Sequence, residues 1–159
     1  MRTSIVLLCG LVVVISGAAR AGELKSGQAA GTFTSGGKTV QITHAAVFVD
    51  RSDERKPTIL ILSDTELPAS GWKSESDYVA YRTKHKFLGI AFWLDANRED
   101  FRTEYYDASS FPTSASGMFE LTLDASAPNT LSGSAKSTGG AAKLKEPVKL
   151  ETTFNVALK

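Results

Sequence analysis

Cysteine is nearly absent from the 159-residue sequence: Cys9 is the only one. It lies inside the apolar run of residues 5–15, which follows Arg2 and leads through Ser16 and Gly17 to Ala19-Arg20-Ala21. A basic residue, a short apolar core and a small-x-small site make an export signal, and the spacing predicts cleavage after Ala21. The run is too short for a membrane anchor, which needs ~20 apolar residues. Leu7 and Leu8 stand before Cys9 where a lipidated cysteine has small residues, so Cys9 is expected to leave with the signal peptide, residues 1–21. The remaining chain, residues 22–159, then holds no thiol. It has no disulfide, no thiolate metal ligand and no cysteine nucleophile. A chain of that length buries enough surface to do without disulfides.

Other absences narrow the function. Asn97, Asn129 and Asn155 all lack a hydroxyl residue two positions on, so there is no N-glycosylation acceptor. Removing Arg2 and Arg20 from 18 basic residues leaves 16 against 17 acidic ones, with no block of like charge. That excludes nucleic-acid binding through phosphate neutralisation and electrostatic docking to anionic membranes. There is no Gly-x-Ser-x-Gly elbow and no Ser-x-x-Lys around residues 132–136. His44 and His85 are the only histidines, and neither has a partner at metal-ligand spacing. No catalytic residue, cofactor or metal is therefore expected. A periplasmic or secreted location follows from the signal, with no transmembrane segment after its cleavage.

What is present is mostly strand. Residues 31–35 read as a short strand, and Gly36-Gly37 as the two-residue turn of a hairpin, since glycine supplies the positive φ such turns need. Residues 38–50 follow, with Val40, Ile42, His44, Ala46 and Phe48 expected on one face. Residues 58–63 and 87–94 are apolar throughout and read as buried strands. Residues 100–107, 118–124, 131–136 and 148–159 complete the set. Residues 74–85 are the one convincing helix: Ser74 and Asp77 form a capping-box pattern, and Tyr78, Tyr81, Arg82 and His85 share a face. These elements predict a single all-β domain over residues 22–159, an antiparallel β-sandwich or barrel of about eight strands with one short helix.

Gly31-x-Phe33 and Gly37-Lys38-Thr39-Val40-Gln41-Ile42-Thr43-His44-Ala45 resemble the opening hairpin of an uncharacterised family of exported bacterial β-domain proteins. Residues 59–62 leading into Asp64-Thr65-Glu66-Leu67-Pro68, and a final strand around Phe154, extend the resemblance over most of the mature chain. The family implies an envelope-located β domain and brings no established activity. Ala46 stands where its members often carry tyrosine.

Four residues are candidates for a binding site. His44, set among apolar neighbours, is either a functional imidazole or a buried one that fixes the strand's register. Trp72, Tyr78 and Tyr81 form an aromatic set that either marks a recognition surface or seats the helix on the sheet. Gly31–Thr39 imitates a phosphate loop, but Thr32 stands where that pattern needs glycine, so it reads as a hairpin. Asp100 and Glu104, with Arg102 between them, read as a solvated charge ladder. The expected function is non-enzymatic binding of an unknown protein or envelope component. The alternatives are a carrier of a small apolar ligand in a β-sandwich or barrel cavity, and a hydrolase using His44.

Overall fold

The computed structural model describes residues 23–108, 111–124 and 128–158; the expected signal peptide lies outside them. The strands are β1 (Gln28–Ser35), β2 (Lys38–Val49), β3 (Thr58–Ser63), β4 (Gly89–Leu94), β5 (Asp100–Tyr106), β6 (Thr113–Ser114), β7 (Phe119–Leu123), β8 (Thr130–Ser137) and β9 (Lys149–Ala157). The helix α1 spans Glu75–Lys84, and single 3-10 turns occupy Ala69–Gly71 and Ala141–Lys143. Nine strands are therefore present among the described residues where about eight were expected. The addition is β6, two residues beside Pro112 that carry no alternation of their own and pair with β5 at Glu104 and Tyr105.

All pairings are antiparallel, and the strands make one sheet in the order β6-β5-β4-β3-β2-β1-β9-β8-β7. Apart from β1 against β9, every pair joins sequence neighbours. The edge strands β6 and β7 are consecutive in the chain, joined by a turn in which the Met118 amide donates to the Ala115 carbonyl. This is neither two facing sheets nor a barrel closed by strand pairing, but one sheet curled into a half-barrel. Curling brings residues from eight strands into one inner cluster that includes Phe33, Ile42, Leu60, Phe92, Tyr105, Phe119, Leu131 and Phe154.

The hairpin is as expected. Ser35 pairs with Lys38, leaving Gly36 and Gly37 as the loop at φ +56° and +72°. The unbroken apolar runs of β3 and β4 also have a physical reason, because both faces of these strands are covered. Leu60, Leu62, Ile90 and Phe92 point to the inner cluster. Ile59, Ile61, Ala91 and Trp93 point outward to a second cluster beneath α1.

The helix begins with the expected capping box: Ser74 Oγ accepts from the Asp77 amide at 3.3 Å and the Asp77 carboxylate from the Ser74 amide at 3.1 Å. Ten residues are too few for a stable helix in water, so packing holds it. Tyr78, the one buried residue of α1, supplies the anchor. Its ring lies 5.5 Å from Trp72, 6.1 Å from Phe48 and from Tyr106, 6.3 Å from Trp93 and 6.4 Å from Phe87, centroid to centroid. Full burial of such an aromatic contributes about 1.5–3 kcal/mol, more than the remaining, largely polar helix surface offers.

In β2 the expected face assignment fails. Val40 and Ile42 pack on the inner cluster, as do Ala45 and Val47, whereas Ala46 and Phe48 join the outer one. The alternation slips by one residue across Thr43 and His44, where β2 gives up pairing with β1 and takes up β3. The slip falls where the register between β1 and β2 shifts, between Gln28 and Gly31 opposite His44 and Ile42, and a period-2 reading of one strand carries no information about such an irregularity.

Candidate binding groove beside the long strand

β2 has 12 residues, while β1 has 8 and β3 has 6. Its neighbours therefore overlap it only in part. β1 pairs with Lys38–His44 and β3 with His44–Val49. Beyond His44 the side of β2 that faced β1 has no adjoining strand among the described residues, because the lead-in to β1 turns towards β9. There the Gly27 amide donates to the Asn155 carbonyl at 2.8 Å, Asn155 Nδ2 to the Leu24 carbonyl at 2.7 Å, and the Ala157 amide to Ser26 Oγ at 2.9 Å.

The space left open is a groove of about 540 Å³ lined by residues 44–49 of β2, Ser26 and Gly27, Val156 and Ala157, Arg51, and the segment Glu66–Lys73. One wall is aromatic. Trp72 stands edge-on to Phe48, 5.4 Å between centroids at 84°, and is backed by Tyr81 at 5.3 Å. Tyr81 stacks in turn on His85 at 4.5 Å. The wall is held by its flanks. The buried Asp50 carboxylate accepts from Ser52 N–H (2.8 Å), Ser52 Oγ (2.6 Å) and the Glu75 amide (3.0 Å), tying the end of β2 to the start of α1. Burial works against ionising Asp50, but these donors outweigh it and its pKa lies below the ordinary value.

The structure brings together two of the four candidate residues. His44 is half-buried and lines the groove, and Trp72 forms its wall. Tyr81 supports Trp72 from behind. Tyr78 is fully buried and lies beneath the helix, outside the groove. The imidazole of His44 makes no hydrogen bond to a serine or carboxylate among the described residues, so a paired base and nucleophile are not assembled there. No group of three or more potential metal ligands is found among the described residues. No helix among them is long and apolar enough to cross a membrane.

No family model matches the chain, and no curated protein or solved structure is significantly similar to it.

A second polar cluster lies on the outer face, and it corrects the reading of Asp100 and Glu104 as a solvated ladder. Arg102 lies over Trp93, 4.1 Å from its ring centroid, and bridges Glu75 (2.9 Å) and Glu104 (2.6 Å). Trp93 Nε1 donates to Glu75 at 3.3 Å and the Tyr106 hydroxyl to Glu104 at 2.8 Å. Asp100 stands apart, exposed at the start of β5. Burial disfavours the Arg102 charge, but the two carboxylates more than offset this and hold the guanidinium above its ordinary pKa. With each carboxylate occupied by internal donors, this cluster fastens the helix to the sheet.

Residue types did not point to Arg51, Lys73, Glu66 or the backbone of residues 45–49. The available signal was the length of β2: a 12-residue strand beside an 8-residue partner leaves unpaired edge.

Proposed function

We propose that the protein is an exported, non-enzymatic β domain that binds a protein partner through the groove beside β2. The observation that carries this reading is the unpaired edge of β2 facing a concave space with an aromatic wall. Aromatic residues in concave, partly desolvated sites are the usual anchors of recognition. The signal pattern at residues 1–21 supports export, and the hairpin resemblance to exported bacterial β domains agrees with it. The carrier reading has a weaker basis. A cleft of about 330 Å³ reaches Phe33, Val40 and Leu88, but Lys38, Asp107 and Glu146 also line it, which suits an apolar ligand poorly.

A photo-crosslinking residue placed at Lys73 tests the binding reading in the cell that exports the protein. The expected result is a discrete protein adduct from position 73 and none from the exposed position Thr122 on β7. Equal labelling from both positions, or none from either, overturns it.

A further inference from the structure

We propose that the groove accepts an extended acidic peptide of the partner, which adds as an antiparallel β-strand along Ala45–Val49. This rests on the protein-binding reading above and names the partner's chemistry.

In β2 the backbone groups of alternate residues point to opposite sides. The Asp50 amide donates to Pro57 at 3.0 Å, so the even-numbered residues face β3. The odd-numbered ones face the groove. At one end the Ala45 amide donates to the Gly27 carbonyl, and at the other the Arg51 amide donates to the Lys73 carbonyl, each at 3.0 Å. Gly27 and Lys73 thus occupy the position of a neighbouring strand at the two ends of a window. Between them the amides of Val47 and Val49 have no acceptor among the described residues. At about 3.4 Å per residue, the six steps from Ala45 to Arg51 span roughly 20 Å, so a strand of about four or five residues fits between the two stops. A peptide backbone supplies the alternating donors and acceptors that such an edge lacks.

Exposed edges are normally blunted by proline, by charge or by a bulge. Residues 45–49, Ala-Ala-Val-Phe-Val, carry neither proline nor charge. The cations stand at one end only. Arg51 and Lys73 are exposed, line the groove and form no salt bridge with a described carboxylate. The Asp77 carboxylate, which feels the Lys73 charge without forming an ion pair with it, accepts from the Lys73 and Ser74 amides in capping the helix. Glu66 is the one acidic residue in the lining. An added strand continues the place and direction of β1, which runs antiparallel to β2. Its N-terminal end therefore meets Arg51 and Lys73, and an acidic side chain belongs there.

The test uses the exported protein and three synthetic peptides: acetyl-Asp-Val-Thr-Val-Thr-amide, the same peptide with lysine first, and the acidic peptide with proline at its third position. The acidic peptide is expected to slow hydrogen exchange of the Val47 and Val49 amides at least tenfold at saturation and to shift Trp72 fluorescence. It is expected to bind at least fivefold more tightly than the lysine peptide, with the proline peptide weakest. The Arg51→Glu/Lys73→Glu variant, which alters only exposed residues, should reverse the acid-over-lysine preference. No binding at millimolar peptide, or binding without protection of both amides, overturns strand addition. Equal affinity for the acidic and lysine peptides overturns the charge assignment. Crosslinking from position 73 that persists in either case leaves the protein-binding reading standing, so the two failures are distinguishable.

Discussion

Arg102 lies over the indole of Trp93, 4.1 Å from its centroid, and this contact joins the helix to the sheet, because the same guanidinium holds Glu75 on α1 and Glu104 on β5. Replacing Arg102 with alanine removes the stack and leaves Glu104 without its cation. Arg102 is partly exposed, so the ion pairs are worth little each and the stack adds about 0.5–1 kcal/mol. The expected loss is about 1–2 kcal/mol in urea unfolding, with Arg102→Lys recovering the charge but less than half of the stability. A loss below 0.3 kcal/mol would show that the cluster is ornamental.

Asp50 makes stability depend on acid. Its folded pKa lies below the ordinary carboxylate value, so its contribution is fully present above the unfolded pKa of about 3.9 and disappears as pH falls through the folded value. Asp50→Asn is expected to cost about 1–2 kcal/mol at pH 7. The difference from the parent should shrink steadily below about pH 4. Equal urea midpoints for the two proteins at pH 7 would refute this.

Tyr78 and Tyr106 predict the opposite limb. Burial raises both phenols above the ordinary value, and Tyr106 is raised further by the adjoining Tyr78 and Glu104. Both stay protonated in the folded protein while the unfolded chain ionises above about pH 10, so stability declines from there upwards. Ultraviolet titration should show the Tyr78 and Tyr106 phenols ionising only as the fold is lost.

The buried Tyr78 hydroxyl lies beside the Tyr106 hydroxyl, which is turned to Glu104, and makes no well-formed hydrogen bond of its own among the described residues. Tyr78→Phe therefore removes an unsatisfied group and keeps the ring, and is expected to leave stability unchanged or raise it by up to about 1 kcal/mol. Tyr78→Ala empties the space beneath the helix and should cost about 3–5 kcal/mol. Thermal unfolding of the pair separates the two contributions, and a destabilising Tyr78→Phe would count against the unpaired hydroxyl.

Gly31 faces Thr152 across the β1–β9 pairing, and a Cβ there would collide with the Glu151 carbonyl and the Thr152 backbone. Gly31→Ala should cost at least about 2 kcal/mol, by forcing the two strands apart. Thr152 interrupts the apolar face of β9 at this same point, so an alanine at 31 tolerated at no cost would remove the reason offered for both residues.

Several features were legible because they depend on neighbours in the chain. The Gly36–Gly37 turn, the Ser74–Asp77 capping box and the apolar runs of β3 and β4 each follow from local conformational preference or periodicity. So did the antiparallel, all-β character of the domain with its one helix. The rest was settled by which strands lie beside which. The slip at Thr43–His44, the two-residue β6, the place of α1 on the outer face and the passage of Arg102 from Glu75 to Glu104 depend on pairings between distant segments. His44 shows the difference most plainly. As a sequence position it belongs to an apolar stripe with Ile42 and Phe48. In the fold it marks the point where β2 changes partners and its edge opens. Periodicity reports which way a side chain points along one strand; where the adjoining strand stops is decided only when the sheet is assembled, and that is why the Val47 and Val49 amides have no acceptor among the described residues.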